Sequence, residues 1–485
     1  MSKAIRVSML AGSRGRRRCA AMAAVMLLAV AGCVGATPSA SPSASRGSAS
    51  QIPTAVPTTA PTYDLSQVQP VPTTAPTYDL SKVPQAPAGD WKSINWIEVP
   101  PPTVAALPSP QPAPSIGITS SSFKVAGWSG GFLGFSVQVV AAVDARGYTL
   151  YGPGVATLGV TYSKDGVHWN DGNVVQQPIA DPWVTISGVF EGPDGLLAVG
   201  ESGACATSWI DALWTSPDGV SWHNVDFKNA FGSVTIHGVS GGSSGFVATD
   251  ATGNHVWTSR DGQSWRPVDF GAPVFAGSRI DDGTAFSGGF VLGGSTEALG
   301  PRSCATYVVD PSASPTPAPP MRSPAVWWSA DGGNWTKAEL PGGTDAYAVS
   351  MRICRANDHT LLAYEDYWSD QTYGSGLWTS NDGRIWKSLV WPSSLDPSQI
   401  LTDGRHGVLV TDPTVLAGGT YVRDAGAGLS TSMVTDDGGL VTLAQDGDQP
   451  AYDYSEQWAM GPTGILWMDP ASQSGVVRVW IGLPS

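Results

Sequence analysis

Short apolar runs that begin with glycine recur through the chain, and each is followed by turn-forming residues. Examples are residues 195–200 (GLLAVG), 245–249 (GFVAT) and 289–293 (GFVLG), and later runs lie at 464–468 and 475–480. Runs of about four to eight residues between turn residues are typical of β-strands, because a surface helix needs a longer segment. The pattern therefore predicts an all-β chain of many short strands.

The N-terminus follows a different pattern. The first 18 residues carry six basic and no acidic side chains, and an apolar run of 12 residues follows at 20–31. A membrane-spanning helix needs about 20 residues, so this run has the length of a signal-peptide core. It ends in Val-Ala-Gly-Cys, which resembles the bacterial lipobox. The resemblance implies a lipoprotein signal peptide over residues 1–32 and lipidation of Cys33.

Two alternatives stay open, namely an ordinary signal peptide with a chance cysteine and an uncleaved anchor. The Arg16-Arg17-Arg18 run lacks the rest of a twin-arginine motif, so we expect general secretion. Two or more acyl chains hold a protein stably at a bilayer. We therefore expect an exported protein whose partner is the outer face of the bacterial cell membrane, reached through a lipid anchor.

Residues 33–89 are rich in Pro, Thr, Ser and Ala, and they contain a perfect duplication, because residues 56–66 recur as 71–81. Such a composition cannot bury a core and stays extended. The segment is predicted to be a disordered spacer. The alternative is that its two Thr-Tyr-Asp-Leu stretches are short peptide ligands.

A seven-residue motif, Ser-x-Asp-Gly-x-x-Trp, occurs five times between residues 163 and 386. Asp-Gly favours a tight turn between two strands, because glycine accepts positive φ and the carboxylate can accept backbone N–H groups. A worn sixth copy at 435–441 lacks the tryptophan. The residues that define the five copies are Ser163, Asp165, Gly166, Trp169, Ser216, Asp218, Gly219, Trp222, Ser259, Asp261, Gly262, Trp265, Ser329, Asp331, Gly332, Trp335, Ser380, Asp382, Gly383 and Trp386.

This motif resembles the Asp-box, or BNR repeat, of β-propellers in the sialidase-like superfamily. The resemblance implies that each copy joins the third and fourth strands of a propeller blade and that its aspartate is structural. Successive aspartates are 53, 43, 70, 51 and 55 residues apart, about one blade each. We therefore expect an all-β, seven-bladed β-propeller over residues 90–485, with six blades as the alternative.

The first residues of this domain are expected to close the ring. Residues 91–96 (WKSINW) match 386–391 (WKSLVW), which follow the fifth motif as an outer strand. Residues 90–100 are therefore predicted to supply the outer strand of the last blade. Closure of this kind leaves no long exposed sheet edge.

Composition excludes some partners. After the basic N-terminus, 20 basic residues stand against 40 acidic ones. We expect no nucleic-acid partner, because phosphate neutralisation needs a basic surface. The six histidines show no metal-ligand spacing. We predict no metal, no cofactor and a monomer.

Five cysteines are present. Cys19 lies in the signal peptide, and Cys205 and Cys304 both occur in Cys-Ala-Thr sequences that we assign to loops on one face. An exported protein can form disulfides. A Cys205–Cys304 disulfide is therefore the favoured pairing, and Cys354 is left over.

Aromatic residues beside carboxylates suit the binding of a glycan or of a protein or peptide. On the loop face opposite the motifs, the candidates are Trp209, Asp211, Tyr364, Glu365, Asp366, Tyr367, Trp368 and Tyr373. The alternative is a solvated loop whose aromatics only pack the fold.

The resemblance also raises the possibility of a sialidase-like glycoside hydrolase. The arginine motif of that activity is missing from the opening strand, which reads Ser122-Phe123-Lys124. The nearest string, residues 279–282 (RIDD), lacks proline and lies several blades later. We therefore expect a binding or assembly module without catalytic residues.

Overall fold

The computed structural model describes residues 93–102, 116–143, 149–179, 184–202, 209–297, 321–346, 348–369, 372–389, 401–402, 408–411, 414–417, 420–423, 430–434, 440–442, 444–447, 457–469 and 477–484. The signal peptide and the linker predicted for residues 1–89 lie outside this part of the chain. Within it, no helix is both long and apolar enough to cross a membrane.

The described residues form an all-β structure, as the strand pattern predicts. Besides the strands there are one short helix, α1 (Phe227–Phe231), and one 3-10 turn (Pro273–Phe275). The strands are β1 Ser93–Val99, β2 Ile116–Trp128, β3 Gly131–Val143, β4 Thr149–Ser163, β5 Asn170–Ile179, β6 Val184–Gly192, β7 Gly195–Ser202, β8 Trp209–Ser216, β9 His223–Asn224, β10 Ile236–Gly242, β11 Gly245–Asp250, β12 Val256–Ser259, β13 Trp265–Pro267, β14 Ser278–Phe286, β15 Gly289–Glu297, β16 Arg322–Ser329, β17 Thr336–Ala338, β18 Ala348–Arg355, β19 Leu361–Ser369, β20 Thr372–Ser380, β21 Lys387–Ser388, β22 Leu401–Thr402, β23 Val408–Thr411, β24 Thr414–Ala417, β25 Thr420–Arg423, β26 Ser430–Val434, β27 Leu440–Thr442, β28 Ala444–Gly447, β29 Gln457–Gly461, β30 Gly464–Asp469 and β31 Arg478–Pro484.

The strands assemble into four-stranded antiparallel sheets in chain order. We name them sheet I (β2–β5), II (β6–β9), III (β10–β13), IV (β14–β17), V (β18–β21), VI (β22, β23, β26, β27) and VII (β29, β30, β31, β1). The Ile236–Ile210 pairing joins sheets II and III, and the hairpin β24–β25 is inserted in sheet VI. Sheets that form from consecutive strands are typical of short connections and antiparallel pairing.

The apolar cores lie between successive sheets. Phe135, Leu158, Trp214 and Trp222 meet between sheets I and II, where the Phe135 and Trp222 rings pack edge to face with centroids 5.2 Å apart. Equivalent cores join II to III, III to IV, IV to V, and VII to I. Alternation along a strand gives each sheet two faces, and both faces of sheets I to IV are buried by neighbouring sheets.

The first strands of sheets I to IV carry a bulge at the same place. The register slips by one residue after Ile118, Ile186, Ile236 and Ile280, each time opposite the second strand of the sheet. A bulge inserts one unpaired residue and re-aims its side chain. At Asp281, in sheet IV, that unpaired residue is acidic.

The glycine of the repeated motif lies where two sheets touch. Gly219 and Gly383 have φ of 74° and 70°, a conformation that glycine adopts freely. A Cβ at these positions would lie 2.8 Å from the Trp128 ring and 2.6 Å from the Trp328 ring, both in the preceding sheet. The motif thus needs glycine both for its turn and for the close approach of the neighbouring sheet.

The N-terminal strand pairs with the C-terminal strand. β1 runs antiparallel to β31 from Ile94–Pro484 to Val99–Val479, and it buries Ile94, Trp96 and Val99. The sequence predicts β1 as an outer strand, but β28 pairs with it in parallel on its other side. The reason is that β28 follows β27 after one residue, so the outer strand of sheet VI continues onto β1.

We expect deletion of residues 90–100 to lower the melting temperature by about 10 °C or more, because four buried side chains, including that of Ile97, worth about 2 kcal/mol each are lost and β31 is uncovered. Thermal unfolding checks this. Deletion of residues 34–80 is the control and should leave the melting temperature unchanged. Equal melting temperatures for the two deletions would contradict the role assigned to β1.

Candidate functional site

The aspartate of each repeated motif is held by its own turn. In the copy at 259–265, the Asp261 Oδ1 atom accepts the N–H groups of Gln263 and Ser264 at 2.9 and 2.7 Å and the Ser259 hydroxyl at 3.1 Å. The Trp265 indole N–H donates to the Gly262 carbonyl at 2.9 Å. The other four copies make the same set of bonds. These side chains therefore stabilise the hairpin turns.

The same bonds keep these aspartates ionised. Burial raises the pKa of Asp165, but hydrogen bonds from His168 and Val167 outweigh it and bring that pKa to about 2. Hydrogen bonds to the carboxylates of Asp218, Asp261 and Asp382 likewise outweigh burial and lower their pKa values, and backbone bonds led by Asn334 lower the pKa of Asp331. A carboxylate that accepts several N–H groups is a poor proton donor at neutral pH.

The predicted ligand residues on β19 differ in accessibility. Tyr364 is buried, and its hydroxyl donates to Asp366 Oδ1 at 2.5 Å. Glu365 is fully buried, whereas Asp366 is exposed and Tyr367 is half-buried with its ring over Gly374. Asp366 and Tyr367 are therefore the members of this group that a ligand can reach.

The other predicted ligand residues are placed only by their backbone. Trp209 and Asp211 lie on β8, Trp368 lies on β19 and Tyr373 lies on β20, while their side chains fall outside the described part. β19 and β20 pair directly, with Trp368 opposite Tyr373. The structure thus brings the sheet V candidates together, and Trp209 and Asp211 belong to sheet II.

Two further acids, Asp281 and Asp282, lie at the bulge of sheet IV and are not among the predicted site residues. Asp281 Oδ2 accepts the Met351 N–H and Asp282 Oδ2 accepts the Ile353 N–H, each at 3.1 Å. These amides belong to β18, so two consecutive carboxylates of one sheet cap the edge of the next. In the sequence, these acids could have been found as a pair directly after Ile280, the isoleucine that precedes the bulge of sheet IV.

Burial dominates the electrostatics of these acids. It raises the pKa of Asp281 to about 6, although Arg279, whose Nε lies 3.2 Å from Asp281 Oδ1, opposes the effect. Burial also raises the pKa of Asp282. Met351, whose N–H donates to Asp281, pairs with Glu365 on β19. The buried acids of sheets IV and V therefore lie on opposite sides of the same strand, β18.

Glu365 is the most strongly desolvated of the predicted ligand residues. Burial raises its pKa to about 7, and the N–H of Thr344 offsets only part of that effect. Neither oxygen has a partner with normal hydrogen-bond geometry among the described residues. A buried carboxyl group without partners is stable only in its neutral form.

A shallow recess of about 380 Å³ lies on the motif side of sheets I and II. Trp128, Glu191 and Asp194 line it. The Glu191 carboxylate accepts both the N–H and the hydroxyl of Ser129, and Asp194 pairs with Arg260 at 3.0 Å. These acids link adjacent sheets at the surface.

Cysteine and metal chemistry find little support in the described part. Cys354 is a free thiol there, and burial raises its pKa to about 12, which leaves it protonated and unreactive. Cys205 and Cys304 lie outside the described residues. Within those residues, no three His, Cys, Asp or Glu side chains are grouped closely enough to hold a metal ion.

No family model and no curated protein matches this chain. Solved structures with some likeness include a protein from Lactobacillus plantarum, at 10% identity over 68% of this chain and 95% of that one, with a TM-score of 0.32. A glycosyl hydrolase from Bacteroides ovatus is 13% identical over 54% of this chain and 84% of that one, with a TM-score of 0.23. A structure from the GH130 family of mannoside phosphorylases is 12% identical over 60% of this chain and 96% of that one, with a TM-score of 0.24. At these TM-scores the likeness decides neither fold nor activity.

We expect Asp165→Asn to cost about 2 kcal/mol of unfolding free energy at pH 7, because the pKa falls from 3.8 to about 2 on folding. A lowered pKa stabilises the fold above pH 3.8, and this contribution disappears as the pH falls through 2. The deficit should therefore shrink in denaturant titrations at progressively lower pH. Asp171→Asn, an exposed change on β5, is the control, and a pH-independent deficit would refute the electrostatic explanation.

Proposed function

We propose that residues 90–485 form a seven-bladed Asp-box β-propeller in which sheets I to VII are the blades. Contacts between first strands support this, because β29, β2, β6, β10, β14 and β18 pack against one another in that order. β28 links sheet VI to sheet VII through β1. Six of the seven junctions of such a ring therefore have a described contact, and a six-bladed ring would leave one of the seven sheets over.

We further propose that the propeller is exported and held at the outer face of the bacterial cell membrane by lipid on Cys33. The basic start, the short apolar run and the Val-Ala-Gly-Cys sequence support this. Residues 33–89 then act as the spacer between anchor and propeller. The excess of acidic over basic residues after residue 18 fits attachment by lipid rather than by charge.

The function we propose is non-catalytic binding or assembly at the cell surface. The observation that carries it is the burial of the two acids whose pKa values suit proton transfer, since Asp281 is 4% exposed at its side chain and Glu365 is 0% exposed. A general acid must reach the bond it protonates. The alternative, a sialidase-like hydrolase with an altered site, would need one of these two groups to become accessible or a proton donor outside the described residues.

The ligand site we propose is the C-terminal end of β19, an inner strand of sheet V, where Asp366 and Tyr367 lie. The carboxylate can accept hydroxyl or amide hydrogen bonds, and the phenol ring offers an apolar surface. The bond from Tyr364 to Asp366 and the packing of Tyr367 on Gly374 hold both groups in place. The ligand class is a glycan or an extended peptide, and we expect no nucleic acid.

Binding can be tested with a glycan array and a pull-down of cell-surface material. Tyr367→Ala and Asp366→Asn should each weaken retention of the captured ligand about tenfold, because a central contact of this kind is worth about 1.4 kcal/mol. Asp171→Asn on sheet I is the matched control. Hydrolysis of any glycan, or undiminished binding by both sheet V variants, would overturn the proposal.

The anchor is tested by feeding labelled fatty acid to cells that express the full chain. Incorporation should be lost completely in Cys33→Ala, since no other thiol follows a lipobox sequence, and the variant should leave the membrane fraction. Cys354→Ala is the control and should keep its label. A labelled Cys33→Ala protein would show that Cys33 is not the lipidated residue.

A further inference from the structure

Glu365 points into the junction between sheets IV and V. Successive side chains alternate across a strand, so Glu365 faces the same side as Ala363 and Tyr367. Ala363 belongs to the core between sheets IV and V, and Tyr367 packs against that core. The carboxyl group is therefore enclosed between two sheets.

One connecting segment passes this carboxyl group. We call residues 341–346 the roof segment, because the N–H of Thr344 and the carboxylate of Asp345 both act on Glu365. The roof segment links sheet IV to sheet V, and its residues 341–343 are exposed to solvent. It has no regular secondary structure apart from a bridge at Ala346.

Both ends of the roof segment are hydrogen-bonded to neighbouring strands, whereas the described backbone bond in its middle is local, from the Gly343 N–H to the Leu340 carbonyl at 3.3 Å. The Trp378 indole N–H donates to the Pro341 carbonyl at 2.8 Å. At the other end, Ala346 exchanges two backbone bonds with Arg322, at 2.7 and 2.9 Å, and Asp345 accepts the Ser323 hydroxyl at 2.5 Å. Between these anchors Thr344 lies against Glu365, so movement of two or three residues would admit water to the carboxyl group.

Among the residues that the structure describes, the charged neighbours of Glu365 include no compensating cation. On its own strand Asp366 is acidic, and on the roof segment Asp345 is acidic. The nearby guanidinium of Arg322 is engaged by Ser295 and Gly277.

The other described elements around Glu365 do not supply a compensating cation either. Arg352 alternates with Met351 on β18 and so faces the other side. On β20 the facing position is Gly376. In sheet IV, Arg279 lies beside Asp281. An ionised Glu365 would therefore be buried without a compensating cation among the described residues, which is costly enough to drive it toward water.

We propose that the roof segment is a pH-sensitive latch, closed over Glu365 while this residue is protonated and driven open as it ionises. In the open form the carboxylate is hydrated and has its ordinary pKa of 4.5, whereas burial raises the pKa to about 7 in the closed form. The sign follows from these values. The closed form is most favoured below pH 4.5, loses ground as the pH rises from there to 7, and changes no further above that.

Hydrogen exchange of the full-length protein tests the latch. Protection factors for the amides of residues 342–346, corrected for the intrinsic rate, should fall about tenfold per pH unit between pH 5 and 7 and then level off. Glu365→Gln removes the titration and should give a flat profile. Glu365→Met does the same with an apolar side chain of similar size, in case a buried amide is not tolerated.

Asp281→Asn separates this group from the neighbouring buried acid. It keeps an acceptor for the Met351 N–H and should preserve the wild-type slope, and the exposed change Glu297→Gln should also preserve it. A flat wild-type profile would overturn the latch by itself. So would a slope that survives in both Glu365 variants, or one that disappears in Asp281→Asn.

Discussion

The structure depends on one packing constraint, which is that a four-stranded sheet with two apolar faces must be covered on both sides. Each of the five described cores is shared by two sheets, as with Phe135 and Trp222 between sheets I and II. The stability of sheets I to IV therefore comes largely from their neighbours. The glycine turns follow from the same constraint, since Gly219 and Gly383 let an indole of the preceding sheet approach within contact distance.

Local features were readable from the sequence because they depend on residues close together in the chain. The Asp-Gly turns, the glycine-led strands and the match between residues 91–96 and 386–391 predicted the hairpins and the place of β1. The parallel strand β28 was not predictable, because its pairing joins residues about 350 positions apart and its four residues carry no distinct pattern. The burial of Glu365 was missed for a related reason. Its polar neighbours look like a surface loop until β18 and the roof segment enclose it.

The carboxylates divide into two populations with opposite electrostatics. Those of the repeated turns accept several hydrogen bonds and remain charged to low pH, whereas Asp281, Asp282 and Glu365 are desolvated and resist ionisation. The acidic excess of the sequence therefore does not create a uniform negative potential at the surface. Part of it holds hairpins closed, and part of it is buried between sheets IV and V, where desolvation raises the pKa values of the acids. Charge counted from composition alone overstates the field that an approaching partner would meet.

The pairing of β1 with β31 has a consequence for synthesis. β1 leaves the ribosome first and its partner last, so Ile94, Trp96 and Val99 wait for almost the entire chain before they are covered. Contacts of such sequence separation form late, and an exposed apolar strand can meanwhile pair with the wrong neighbour. The order of assembly, and not only the final contacts, places a demand on the N-terminal sequence.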